Sequence, residues 1–465
     1  MDKNDFVSID IRELLYLLLK KWYLIVLCFV LSTTSAFLIT QYYLRPVYTA
    51  ETTLFLGKER QKVDFSFADI QVNNQLVADY RELLMSRTVA EEIEKKLGVP
   101  VSVFQGNVSV KTVKDSRIFS ISYADTDRER AAAVANELAT IIQKLAKDII
   151  EVNNVQVIDT AKVPTKPVKP NKKMNISVAG VLGLLLGALL IYLLEYLDHT
   201  FKKPEDVENQ LEINVIGTIP LFEGGKRGKK KPKDEKLLEK QYLKNLITKN
   251  NPKAPATEAF RELRTNLQYL GVDRELKTIV VTSPTMGDGK TVTAVNLAVT
   301  LSRAGNKVLI VDADLRKPKV HLYFGIENKE GLTNLLTSDK DKNKINTVKF
   351  DENSNLQILT SGPVPPNAAE MLNSKRMTHL LERLKEEYDI IIIDTPPIGQ
   401  VTDAAILAGV TDGTILVLAS NETRIEITKR AKKALDSVNA NIIGVVLTKI
   451  DNKRISYYSY SYKYE

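Results

Sequence analysis

The stretch that decides the fold is Thr278-Ile279-Val280-Val281-Thr282-Ser283-Pro284-Thr285-Met286-Gly287-Asp288-Gly289-Lys290-Thr291. A run with the character of a buried strand enters a turn with two glycines, and Lys-Thr then opens a helical pattern. This is the context a P-loop requires. Loop N–H groups and the helix N-terminus attract phosphate, Lys290 reaches the β and γ oxygens, and the Thr291 hydroxyl can ligate Mg²⁺. Pro284 stands where the usual motif opens with glycine, but Gly287 and Gly289 still supply the freely turning positions. The helix should end at Gly305, a natural left-handed cap. Thr285, Met286, Gly287, Asp288, Gly289, Lys290, Thr291 and Val292 are the expected ATP-binding residues.

Working outward, apolar runs at 278–283, 307–311, 389–394, 414–419 and 442–448 read as buried strands with helical segments between them. That alternation predicts a doubly wound parallel sheet covered on both faces. The 307–311 strand delivers Asp312 and Asp314 to its end. Two carboxylates two residues apart, at the phosphate end of such a sheet, suit metal-water binding and hydroxyl activation. Tyr388-Asp389-Ile390-Ile391-Ile392-Ile393-Asp394 reads as a Walker B strand, and Asp394 would hold Mg²⁺ through water. The expected metal set is Thr291, Asp312, Asp314 and Asp394.

Two runs, Trp22 to Thr40 and Ile176 to Leu194, each hold nineteen residues without a charge. A bilayer core takes about 20 such residues in a helix. Lys20, Lys21 and Trp22 at one end of the first run, and Tyr42 and Tyr43 at the other, resemble interfacial anchors. Arg12, Lys20 and Lys21 before the first span, and Lys202, Lys203 and the basic run 226–233 after the second, place both termini in the cytoplasm. Lys172 and Lys173 on the outer side weaken that argument, but ATP is cytoplasmic and the P-loop restores it. The net charge of +8 then belongs with an anionic membrane surface. No aromatic residues interleave the basic run, so no nucleic-acid partner is expected. One cysteine, Cys28, and three scattered histidines exclude an intrachain disulfide and a zinc constellation.

The expected layout has a cytoplasmic segment at 1–21, spans at 22–40 and 175–195, and an extracytoplasmic domain at 41–174 between them. A linker at 196–255, a P-loop domain at 256–450 and a tail at 451–465 follow. In the outer domain Tyr48 to Leu56 alternates as a strand. Ile70 to Leu97 reads as one helix or two short ones, and Asn107–Val113 and Arg117–Tyr123 as strands joined by a turn. Thr126-x-x-Glu129 reads as a capping box before a helix with the stripe Val134, Leu138, Ile141, Leu145 and Ile149. Val155–Ala161 is the last strand. The order β-α-β-β-α-β is the split βαβ plan. No active site is expected there.

Further motifs make the reading specific. Asp312-Ala313-Asp314-Leu315-Arg316-Lys317-Pro318 resembles the second aspartate motif of the bacterial tyrosine kinases, P-loop enzymes related to the septum-site and partition ATPases. Ser361-Gly362 with Pro365-Pro366-Asn367 and Glu370-x-Leu372-x-Ser374, and Asp394-Thr395-Pro396-Pro397 before Asp403-Ala404, resemble loops of the same family. The resemblance implies catalytic roles for Lys290, Asp312, Asp314, Arg316 and Asp394. It implies that Glu258, Arg261 and Arg264 lie on the helix by which such kinases assemble into homo-oligomeric rings, an octamer being one candidate size. The last residues hold Tyr457, Tyr458, Tyr460, Tyr462 and Tyr464, five tyrosines in eight residues, and in the family such a cluster is both substrate and switch. The front half resembles the chain-length determinant proteins of polysaccharide export. Together these imply a kinase using ATP and Mg²⁺ that acts with a polysaccharide polymerase, export machinery and a cognate phosphatase. A partition-class ATPase used as a positional switch and a non-catalytic export scaffold are the alternatives. The tyrosine tail with the Asp312/Asp314 pair weighs against the first. Intact Lys290, Thr291 and Asp394 weigh against the second.

Overall fold

A computed structural model of the chain describes residues 11–57, 77–112, 116–149, 155–222, 241–271, 275–337, 345–351 and 354–451. These form two compact units, one ending at Leu197 and the other beginning at Asp198.

In the first unit two helices are long and apolar enough to cross a bilayer. Trp22–Leu38 continues through a π-helical turn, Ile39–Tyr43, and its partner is Lys172–Tyr196. Both run past the spans read from sequence, because a helix that leaves the apolar layer keeps its hydrogen bonds through the interfacial residues. The two run antiparallel. Lys21 and Glu195 pair at 3.1 Å at one end, and Lys172 donates to Gln41 and Asn175 to Thr40 at the other. Gly180, Gly183 and Gly187 line the contact, and a Cβ on Gly187 would lie 2.8 Å from the Ile25 Cα. Small residues of this kind let backbones approach where hydrophobicity alone cannot drive association.

The rest of the unit is a four-stranded antiparallel sheet in the order β2-β3-β1-β4. Its strands are β1 (Tyr48–Leu56), β2 (Val108–Thr112), β3 (Ile118–Asp125) and β4 (Val155–Asp159). Ala50, Thr52, Leu54 and Leu56 of β1 are buried, as the alternation requires. The Arg128–Ile149 helix presents Val134, Leu138 and Ile141 to that face. Its cap differs from the expected one. Asp127, not Thr126, accepts the N–H groups of Glu129 and Arg130, since a carboxylate one residue on is the stronger acceptor. The segment 70–97 is helical over 77–84 and Arg87–Leu97, broken where Ser86 caps the second piece. A further helix, Val101–Asn107, occupies the first residue assigned from sequence to the next strand. The turn expected at 114–116 lies partly outside the described residues.

The second unit is an eight-stranded sheet in the order β5-β12-β11-β6-β10-β7-β9-β8, parallel except at the β8 edge. Its strands are β5 (Val215–Pro220), β6 (Thr278–Thr282), β7 (Val308–Asp312), β8 (Val348–Lys349), β9 (Leu356–Leu359), β10 (Ile390–Asp394), β11 (Gly413–Ala419) and β12 (Ile442–Ile450). Every residue of β6, β7 and β11 is buried, which is why these strands read as unbroken apolar runs. The boundary at 256 shifts. Phe201, Val207, Leu211, Ile216 and Ile219 are core residues, and β5 completes one sheet edge. Gly217 makes that possible, because a Cβ there would lie 3.0 Å from Leu263 of the Pro255–Leu270 helix. β9 escaped the sequence reading because four residues carry too little pattern. The basic run 226–233 lies outside the described residues.

Candidate active site

Three neighbouring central strands bring the chemistry to their C-terminal ends. β6 leads into the P-loop, and β10 and β7 end in Asp394 and Asp312 at paired positions. Gly287 and Gly289 sit at φ +95° and +102°, a region only glycine enters freely. The helix Lys290–Arg303 then begins, and Gly305 follows it at φ +100°. This loop shape turns backbone N–H groups toward an anion.

The ammonium of Lys290 lies 3.1 Å from Asp314 and 3.4 Å from Asp394. The Thr291 hydroxyl donates to Asp394 at 2.8 Å. Burial alone would lower the Lys290 pKa, but the charges of Asp394 and Asp314 outweigh it and raise the value. Burial likewise pushes the Asp394 carboxyl up, against the pull of Lys290. Asp312 is fully buried, and burial followed by the Asp394 charge pushes it up to about 7. Its Oδ2 accepts the N–H groups of Lys319 and Val320, and its Oδ1 that of Asp314. Asp312 is thus tied to its own loop, whereas Asp314 faces Lys290. Arg316, expected to be catalytic, forms a forked pair with the buried Asp403 at 2.8 and 3.1 Å.

Among the loop residues, Met286 is 57% exposed and the Val292 side chain packs on the core. The Asp288 side chain turns inward. It accepts the Thr285 N–H and both the Thr285 and Thr423 hydroxyls, so only its backbone faces the phosphate cradle. Beside the helix start lies a small, largely apolar pocket lined by Leu221, Phe222, Asn245, Phe260, Val292 and Thr293, among others. Thr423 and Thr448, which reach Asp288 from 135 and 160 residues away, and the wall residues from 221 to 245 were not singled out from sequence. No local signal marks them. Asp403 could have been found, since it sits in the loop quoted after Asp394.

Glu258 and Arg261 pair with each other on the Pro255–Leu270 helix, and Arg264 Nε is buried without a hydrogen-bond partner among the described residues. Tyr457, Tyr458, Tyr460, Tyr462 and Tyr464 lie outside the described residues.

A phosphate-binding loop with a lysine set among strand-end carboxylates defines a P-loop nucleotide-binding domain, here on a chain with two candidate membrane helices. Family models match in the same order: "Chain length determinant protein" over residues 7–97, "G-rich domain on putative tyrosine kinase" over 127–196 and "AAA domain" over 276–441. Tyrosine-protein kinase YwqD of Bacillus subtilis is 42% identical over 216 residues, 46% of this chain and 89% of the relative. Tyrosine-protein kinase etk of Escherichia coli K12 is 29% identical over 410 residues, 86% of this chain and 55% of the relative. The solved kinase domain of the Escherichia coli tyrosine kinase ETK is 30% identical over 54% of this chain and 96% of that one, with a TM-score of 0.48. The chain belongs to the family of bacterial tyrosine-protein kinases, joined here to a chain-length determinant domain. It spans only about half the length of its longer curated relatives.

Proposed function

We propose that the chain is an autophosphorylating protein-tyrosine kinase of the cytoplasmic membrane, with both termini in the cytoplasm. It transfers the γ-phosphoryl group of ATP to the C-terminal tyrosines of neighbouring subunits. It thereby regulates the polymerisation, chain length and export of a capsular or extracellular polysaccharide. A polymerase, export machinery and a phosphatase that resets the tail are the partners this implies. The observation that carries the reading is the Lys290–Asp314–Asp394 cluster at the mouth of the P-loop.

The residues fit ATP and Mg²⁺. Two glycines open the cradle, Lys290 and Thr291 stand at its rim, and the apolar pocket lies beside it. Among the described residues no three acidic or metal-ligating side chains converge as a ready cage. Mg²⁺ keeps much of its water and is held by one or two side chains plus phosphate. ATP with Mg²⁺, when bound, supplies the transferable phosphoryl group and neutralises part of its charge. Thr291 and Asp394 would hold the metal. Lys290 leaves its two carboxylates for the phosphate oxygens, where its charge stabilises the transferring group. Asp314, freed from Lys290, is placed to accept the proton of an incoming tyrosine hydroxyl. Asp312 keeps its loop in shape, and Arg316 orients that loop through Asp403.

The test is mass spectrometry of the full chain, purified in detergent, after incubation with ATP and Mg²⁺. Phosphate is expected on the tail tyrosines. Lys290→Met should reduce it by about 100-fold or more while the protein stays in the membrane fraction. Undiminished autophosphorylation in that variant overturns the assignment.

A further inference from the structure

The P-loop is held from behind by a chain of contacts that begins just after the second membrane helix. That helix ends at Tyr196, and the residues from Asp198 onward belong to the P-loop unit. Residues 199–202 run beside the turn that follows β11. The Phe201 N–H donates to the Thr423 carbonyl at 3.2 Å, and the Asn421 N–H donates to the Phe201 carbonyl at 2.8 Å. The Ile425 N–H donates to the His199 carbonyl at 3.0 Å, and the Ser420 hydroxyl to the Lys202 carbonyl at 3.0 Å. Phe201 is fully buried and packs in a core with Val207, Leu211 and Leu418. This strap is therefore a built part of the fold.

Thr423 passes the constraint on. Its hydroxyl accepts the Ala419 N–H at 2.8 Å and donates to the Asp288 carboxylate at 2.8 Å. The accepted bond fixes the oxygen, so the hydroxyl proton has one direction to point. Asp288 in turn holds the Thr285 N–H at 2.8 Å and the Thr285 hydroxyl, closing the loop upon itself. Thr423 and Asp288 are 1% and 2% exposed, so water cannot replace a lost donor. Among the described residues, Thr423 reaches the loop through the Asp288 carboxylate.

We propose that Thr423 is a positioning residue for nucleotide binding, through which the strap at 199–202 sets the shape of the P-loop. The inference rests on the reading of that loop as the ATP site. It adds that the segment leaving the second span bears on that site through one hydroxyl and one carboxylate.

The full chain in detergent serves for the test, with ADP as the probe. Thr423→Val keeps the shape but loses the donor to Asp288 and the acceptor for Ala419, and ADP should bind about tenfold more weakly. Thr423→Ser should restore wild-type affinity. Without nucleotide, hydrogen exchange at the Thr285 amide should speed up in Thr423→Val and return to normal in Thr423→Ser. Phe201→Leu, which loosens the strap while keeping an apolar anchor, should weaken ADP binding severalfold. Its effect should be largely absent in the Thr423→Val background. Equal ADP affinity and equal Thr285 exchange in wild type and Thr423→Val overturn the proposal, and additive effects of the two substitutions overturn the coupling to the strap. Failure of the wild-type chain to bind ADP instead overturns the reading of the site.

Discussion

At the residue scale, the candidate site is a crowd of charges in which burial decides the protonation. Asp312 is the sharpest case, pushed up to about 7. An ordinary aspartate in the unfolded chain titrates near 4. Between those values the folded chain holds a proton that the unfolded chain has released, so raising the pH favours unfolding. The contribution of Asp312 to stability is therefore largest at low pH and falls as pH rises from about 4 through about 7. Thermal unfolding of the nucleotide-free chain should show a midpoint that declines over this window, with a shallower decline in Asp312→Asn. Equal slopes would place the proton elsewhere. The chemical identities at this scale were legible, because a P-loop and two strand-end acids announce themselves by residue type and spacing. The division of labour was not. Nothing in Asp312-Ala313-Asp314 says that the first carboxylate accepts three backbone N–H groups while the second meets Lys290.

At the element scale, the two apolar helices illustrate how little of a contact can be read from composition. Their length and lack of charge are written in the sequence, whereas their shared face is set by which side each glycine takes. Gly187→Leu would drive a side chain into the Ile25 backbone, and Gly183→Leu into Ser32 and the Cys28 carbonyl. Val181, 58% exposed on the same helix, has room for an extra methylene. Each glycine variant should lower the unfolding midpoint of the detergent-purified chain by several degrees, as expected for about 1–3 kcal/mol of overpacking. Val181→Leu should leave it unchanged. Circular dichroism at rising temperature reads both, and a neutral Gly187→Leu would exclude this helix pairing. In the P-loop unit the long strands were legible and β5 was not. A six-residue strand at an edge has a pattern too short to separate from an ordered linker.

At the scale of the whole molecule, we propose that the chain assembles into a homo-oligomeric ring through the charged face of the Pro255–Leu270 helix. Replacing Glu258, Arg261 and Arg264 together by Ala should dissociate the ring and reduce tail phosphorylation with ADP affinity unchanged. Light scattering of the full chain in detergent checks this, and an oligomer of the same mass in variant and wild type counts against it. Transfer between subunits has its own test. A Lys290→Met chain with its tail intact is mixed with an active chain whose five tail tyrosines are Phe, and phosphate should appear on the former. If wild type labels well and the mixture never does, transfer occurs within one chain. What the sequence by itself determined is the class of each part, because apolar run length, alternation, glycine spacing and strand-end acids are local properties that survive without a fold. Only the tertiary structure decided that β5 belongs to the P-loop sheet, that Lys290 rests between Asp314 and Asp394, and that Thr423 holds Asp288 across 135 residues. The physical reason is that such contacts depend on strand order. Strand order in a parallel sheet follows from how helices cover its faces, and no short stretch of chain encodes that packing.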